Sequence, residues 1–120
     1  MEVMKFGGSS VATAEAMSRV VNIVTEELKN DRVILVCSAI SKCTDMLIEI
    51  GKRAAIRDLS YKKLISELHD RHHQIISEFL EPEYQFSTRT GIDNLFESLS
   101  GIVQGVYLLG ELSDISLDAI

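Results

Sequence analysis

Val3-Met4-Lys5-Phe6-Gly7-Gly8-Ser9-Ser10-Val11 opens the chain and decides its fold. A short apolar run carries a lysine near its end, then passes into two glycines and two hydroxyl residues. Such a run reads as a strand that leaves its sheet through a tight turn. Backbone N–H groups in a glycine-rich turn converge on an anion, and a helix that follows adds its positive end. Lys5 adds a full charge beside them. The order excludes the Walker loop, in which the lysine follows the glycines across a longer loop.

Outward from this stretch the pattern is strand, helix, strand. Val3 to Phe6 is the first strand. Ala14 to Asn30 reads as a helix, with Thr13 as N-cap, Glu15 in the first turn, and Met17, Val20, Val21, Val24 and Leu28 on one face. Val33-Ile34-Leu35-Val36-Cys37 is an unbroken apolar run. It suits a strand buried on both faces, and so a parallel sheet. The three elements make a βαβ unit, with the two strands adjacent and parallel.

The remainder reads as helical. Thr44 to Ile56 carries Leu47, Ile48, Gly51 and Ala55 on one side. Tyr61 to Leu80 carries Leu64, Ile65, Leu68, His72, Ile75, Ile76 and Phe79. Glu81-Pro82-Glu83 breaks the pattern, and Ile92 to Leu109 resumes it. Ser113 is placed as the cap of a further helix whose pattern stops at Ile120, so a longer protein is expected.

Composition limits the function. Twelve Lys and Arg against 18 Asp and Glu give a net charge of −6, which is no footprint for nucleic acid. A hydrophobic fraction of 46% supports a packed core and argues against a disordered chain. The N-terminus lacks the basic and apolar regions of a signal peptide, and no apolar stretch is long enough to span a bilayer. A soluble cytoplasmic protein is expected, with Cys37 and Cys43 as free thiols. No metal site is expected. His69, His72 and His73 share part of a helix face, but with no acidic or cysteine partner at fixed spacing they read as one packed ring, His72, and two solvated ones.

Two segments carry chemistry. Lys5 to Ser10 leaves the first strand, and Ser38-Ala39-Ile40-Ser41-Lys42-Cys43-Thr44-Asp45 leaves the second. Ligands of open α/β sheets bind outside the carboxyl ends of the strands. Gly7 and Gly8 let the backbone approach a phosphoryl group, with Ser9 beside them, and Lys5 offsets its developing charge. Ser38, Ser41 and Thr44 offer hydroxyls to a polar substrate, and a helix starting near Thr44 favours a carboxylate. No acidic side chain in these loops is an evident base. A carboxylate substrate needs none, being already a nucleophile.

These residues closely resemble the aspartokinases of the amino-acid kinase family. Lys5-Phe6-Gly7-Gly8-Ser9-Ser10-Val11 matches their opening signature, and Ser38-Ala39 followed by Thr44-Asp45 matches their second motif at the same spacing. Related acetylglutamate, glutamate and uridylate kinases share a strand–Lys–Gly opening but not Lys-Phe-Gly-Gly-Ser-Ser. Val106 to Ser113 resembles a segment common in aspartokinases, including those fused to homoserine dehydrogenase. The resemblance implies a three-layer α/β/α sandwich, of which residues 1–120 are an incomplete N-terminal part. It implies phosphoryl transfer from ATP, with Mg2+, to the side-chain carboxylate of L-aspartate. Lys5, Gly7 and Gly8 then face the transferred group, and Ser38 and Thr44 the amino acid. Glu111, in a Gly-Glu pair, matches an earlier Leu-Leu-Gly-Glu-Leu of the family rather than its substrate-binding glutamate. The expected partners are ATP, L-aspartate and a second copy of the chain, with neither nucleic acid nor membrane, and this stretch alone is expected to be inactive. The competing expectation is a helical interaction module, joined through 61–80 or 92–109, whose Gly-rich loop is only a turn.

Overall fold

A computed structural model describes residues 1–111 and 114–120. The expected cap at Ser113 lies outside the described residues. The chain forms two compact units, residues 1–43 and 44–120.

The first unit is the βαβ motif. Strands β1 (Glu2–Phe6) and β2 (Val33–Cys37) pair in parallel, Glu2 opposite Val33 and Phe6 opposite Cys37. Between them run a 3-10 turn over Gly8–Val11 and helix α1 (Ala14–Leu28). Thr13 is extended and accepts a hydrogen bond from the Ala16 N–H at 3.1 Å, so the expected cap is present. At the other end of the sheet the Met1 ammonium pairs with Asp31 at 2.8 Å. This cation and the Arg32 N–H hold the Asp31 carboxyl below its ordinary range.

Burial departs from the periodicity in two ways. The covered line of α1 is Ala14, Ala16 and Val20, while Val21 and Leu28 are exposed. Val20 keeps its place on the expected line, and the alanines beside it are covered to the same degree, which a count of large apolar residues passes over. The β2 residues Ile34, Leu35 and Val36 stay 47%, 47% and 46% exposed, against the expectation of burial on both faces. The three successive residues are exposed alike, so both faces of β2 are only partly covered; the unit has a single α-helix to set against its two strands.

The second unit is helical. It holds α2 (Cys43–Ala55, shared at its first residue with the first unit), α3 (Tyr61–Phe79), α4 (Pro82–Leu109) and α5 (Asp114–Ala119). Ile50, Gly51 and Ala54 of α2 are buried, so of the expected line Gly51 is covered, while Leu47, Ile48 and Ala55 are half-buried. Leu68, Ile75 and Ile76 of α3 and Leu99, Val103 and Val106 of α4 complete the core. The pairings Tyr61–Tyr107, His69–Phe96 and His73–Asp93 show α3 and α4 running antiparallel.

Pro82 starts α4 as well as ending α3. At the first helical position its missing N–H costs nothing. Residues 82–91 were not legible as helix because they present no apolar face; Tyr84 is 58% and Phe86 82% exposed. Thr88 and Thr90 donate to the carbonyls of Tyr84 and Phe86, four residues back. At the far end Gly110 takes a left-handed conformation, φ 66°, and its N–H closes on Val106. The Arg57 guanidinium donates to the carbonyls of Tyr107 and Leu108 there, two of the last acceptors of the helix.

Candidate functional site

The two strand-end loops of the first unit meet. Phe6 accepts a hydrogen bond from the Ser38 N–H at 3.0 Å, one step beyond the last strand pair. A Cβ on Gly8 would lie 3.2 Å from the Ser41 Cα and 3.3 Å from the Ala39 carbonyl oxygen. Those neighbours are backbone and would have to give by a few tenths of an ångström to admit a side chain, so glycine is what lets the loops approach this closely. A Cβ on Gly7 would meet nothing within 4 Å. Gly8 is thus the contact between the loops, and Gly7 faces open space.

The turn leaves donors available. Ser10 closes it by donating its N–H to the Gly7 carbonyl at 3.1 Å. Among the described residues, the Gly8 and Ser9 N–H groups make no hydrogen bond outside their own turn. The first amides of a helical turn have no internal acceptor, which is the origin of anion binding at such ends. The helical turn that presents them is the 3-10 segment; α1 begins at Ala14, after its own Thr13 cap.

Lys5 is exposed, and its ammonium makes no ion pair among the described residues. Strand alternation puts it on the sheet face opposite Phe6. Phe6 lines a cleft of about 250 Å³ with Ser9, Ser10, Ala16, Arg19, Val20 and Ile23. Ser9 reaches that cleft, whereas Lys5, Gly7, Gly8 and Ser38 are not in its wall. Arg19 was not legible as a neighbour of the loop. It lies ten residues beyond Ser9, and only the turn of α1 back over β1 brings it there.

In the second loop the Ser38 hydroxyl donates to the Ala39 carbonyl at 3.0 Å. Lys42 takes a left-handed φ of 66°, and the Cys43 N–H closes on the Ile40 carbonyl at 2.9 Å. Thr44 belongs to the second unit, exposed in the first turn of α2 beside Asp45. Cys37 is exposed and Cys43 buried, and neither forms a disulfide. Glu111 is exposed, just after the Gly110 cap.

A second polar cluster lies in the helical unit. Asp93 of α4 accepts from the His69 Nε2 at 2.8 Å and the His73 Nε2 at 2.6 Å. The His73 and His69 rings hold the Asp93 carboxyl below its ordinary range. This corrects the expectation of two solvated histidines without an acidic partner; the partner is supplied across the helix pair, 20 and 24 residues away, out of reach of local spacing. His72 does pack, its Nδ1 on the Leu68 carbonyl at 2.8 Å and its ring edge-on to Phe96.

A crossover between parallel neighbouring strands, with a glycine-rich turn after the first of them, is an α/β arrangement. Comparison with known proteins gives the family. The profile of the amino acid kinase family matches residues 1–104, and the chain belongs to that family. Its relatives include the bifunctional aspartokinase/homoserine dehydrogenase 1, chloroplastic, of Zea mays, 29% identical over 93% of this chain. They also include the bifunctional aspartokinase/homoserine dehydrogenase of Buchnera aphidicola, 30% identical over 95% of it. Aspartokinase 2, chloroplastic, of Arabidopsis thaliana is 32% identical over 92%. The chain spans 12%, 14% and 20% of the length of these three relatives. Among the described residues no helix is long and apolar enough to cross a membrane.

Proposed function

We propose that residues 1–120 are the N-terminal part of an aspartate kinase catalytic domain, a three-layer α/β/α sandwich completed by further chain. The reaction is transfer of the γ-phosphoryl group of ATP to the side-chain carboxylate of L-aspartate. A carboxylate oxygen attacks phosphorus, the bond to the bridging oxygen breaks, and ADP leaves with the electron pair. The observation that carries this is the contact of Gly8 with residues 39–41, which joins two small-residue loops at the carboxyl ends of parallel strands. The half-exposed β2 supports a larger sheet, since an apolar strand of this kind is stable with cover on both faces.

In this proposal the Gly8 and Ser9 amides and Gly7 receive the phosphoryl oxygens, and Lys5 offsets the charge that spreads over them in the transition state. Ser38 and Thr44 hold the amino acid. No general base is required, because the attacking carboxylate is ionised at neutral pH. Mg2+ prefers carboxylate and phosphate oxygens. Residues 5–10 carry no carboxylate and residues 38–45 carry one, Asp45, exposed in the first turn of α2, so the first loop fits the phosphate, and Mg2+ would enter with ATP. A cytoplasmic location and self-association are part of the proposal; Leu95, Leu108 and Leu109, at 67%, 65% and 76% exposure, are apolar surface for a second copy.

The test is aspartate-dependent ADP release. The complete kinase should show it and residues 1–120 alone should not, since the other side of a doubly wound crevice comes from later strands. Thr44→Val in the complete kinase should raise the KM for aspartate severalfold and leave that for ATP unchanged. A raised KM for ATP alone would reverse the assignment of the two loops, and release by residues 1–120 above a Lys5→Ala control would refute their inactivity.

A further inference from the structure

We propose that His69, His73 and Asp93 form a site for one divalent transition-metal ion that ties α3 to α4. The two histidines are one helical turn apart on α3, their ring centroids 4.2 Å apart and their planes within 30°. Both turn Nε2 to the same Asp93 oxygen, and the three donor atoms lie within 4.8 Å of one another. Histidine nitrogens bind Zn2+ at about 2.0–2.1 Å and carboxylate oxygens at about 2.0–2.2 Å. An ion therefore takes the place of the protons between these atoms once the half-exposed Asp93 draws back slightly.

The donor set selects the ion. Two imidazoles and one carboxylate suit Zn2+, Co2+, Ni2+ or Cu2+, whereas Mg2+ and Ca2+ prefer all-oxygen shells. The site is thus chemically distinct from anything that binds with a nucleotide. His69 and Asp93 border an open cleft of about 330 Å³ whose wall includes Glu97, one turn past Asp93. It gives the ion a path in and leaves positions for water or a fourth oxygen.

One neighbour opposes binding. Arg89 donates to the Nδ1 of His73 at 2.9 Å and also to the Ser77 hydroxyl. Arginine only donates, so His73 carries its proton on Nε2 and gives it to Asp93. An ion on Nε2 moves that proton to Nδ1, where it needs an acceptor and meets a guanidinium instead. Arg89 must turn away for the ion to bind, and its charge repels the ion meanwhile. Gln at this position offers a carbonyl to Nδ1–H and removes the charge.

The experiment is calorimetric titration of the 120-residue chain with Zn2+, in a Cys37→Ser background to remove the exposed thiol. One ion per chain should bind, and its melting temperature should rise with free Zn2+. His73→Ala and Asp93→Asn should each weaken binding at least tenfold, His72→Ala should leave it unchanged, and Arg89→Gln should tighten it severalfold. If His73→Ala does not fold, His69→Asn at the more exposed position takes its place. Absence of saturable binding overturns the proposal, as does wild-type affinity in both the histidine and Asp93→Asn variants. Weaker binding by Arg89→Gln overturns the part assigned to Arg89.

Discussion

Turnover of the complete kinase is expected to fall roughly thirtyfold to several-hundredfold when Lys5 is replaced by alanine, a loss of about 2–4 kcal/mol of transition-state stabilisation. The expectation rests on position and freedom. Lys5 sits one residue before the end of β1, beside the turn that presents the Gly8 and Ser9 amides, and its ammonium is not spent on an ion pair among the described residues. The measurement is turnover with ATP and aspartate both saturating, so that weakened binding is not mistaken for slowed chemistry. An unchanged rate would make Lys5 a solvated surface charge, the ordinary fate of an exposed lysine.

Leu68→Ala should destabilise the chain by about 2–4 kcal/mol, the usual cost of emptying a buried leucine site. Leu68 is 1% exposed on α3, in a unit whose core also contains Val103 of α4 at 0%. Small domains hold about 5–15 kcal/mol in all, so one such cavity removes a large share. The shift in urea midpoint at constant slope measures it. Phe86→Ser, at a residue 82% exposed, serves as the comparison and should move stability by no more than about 0.5 kcal/mol. Equal effects at the two positions would contradict the packed α3–α4 pair.

The sequence was informative where a signal is local. Strand ends, the Thr13 cap and the start of α3 follow from adjacent residues, and the structure has them at those places. It was uninformative where the cause is distant. Residues 82–91 are helical because Pro82 suits a first turn and α4 continues behind it, not because an apolar stripe drives them. The buried line of α1 takes in alanines beside Val20, which a count of large apolar residues passes over. In the candidate site, the glycine turn and Lys5 were legible as the loop at the end of the first strand. The reason for Gly8 was not, since it is a contact with Ala39 and Ser41 some thirty residues on. Arg19 beside Ser9 and Asp93 between His69 and His73 were equally hidden, each brought in by a separate element.

The central claim is that the turn after β1 receives a phosphoryl group, and the most direct measurement is titration of the isotope-labelled 120-residue chain with inorganic phosphate, followed by amide resonances. Saturable shifts should centre on Gly7, Gly8 and Ser9, extend to Ser38, weaken in Lys5→Ala, and leave the amides of Leu68 and Val103 in place. Shifts that do not saturate, or that spread evenly along the chain, would contradict the claim and leave the Gly7-Gly8 pair as a turn.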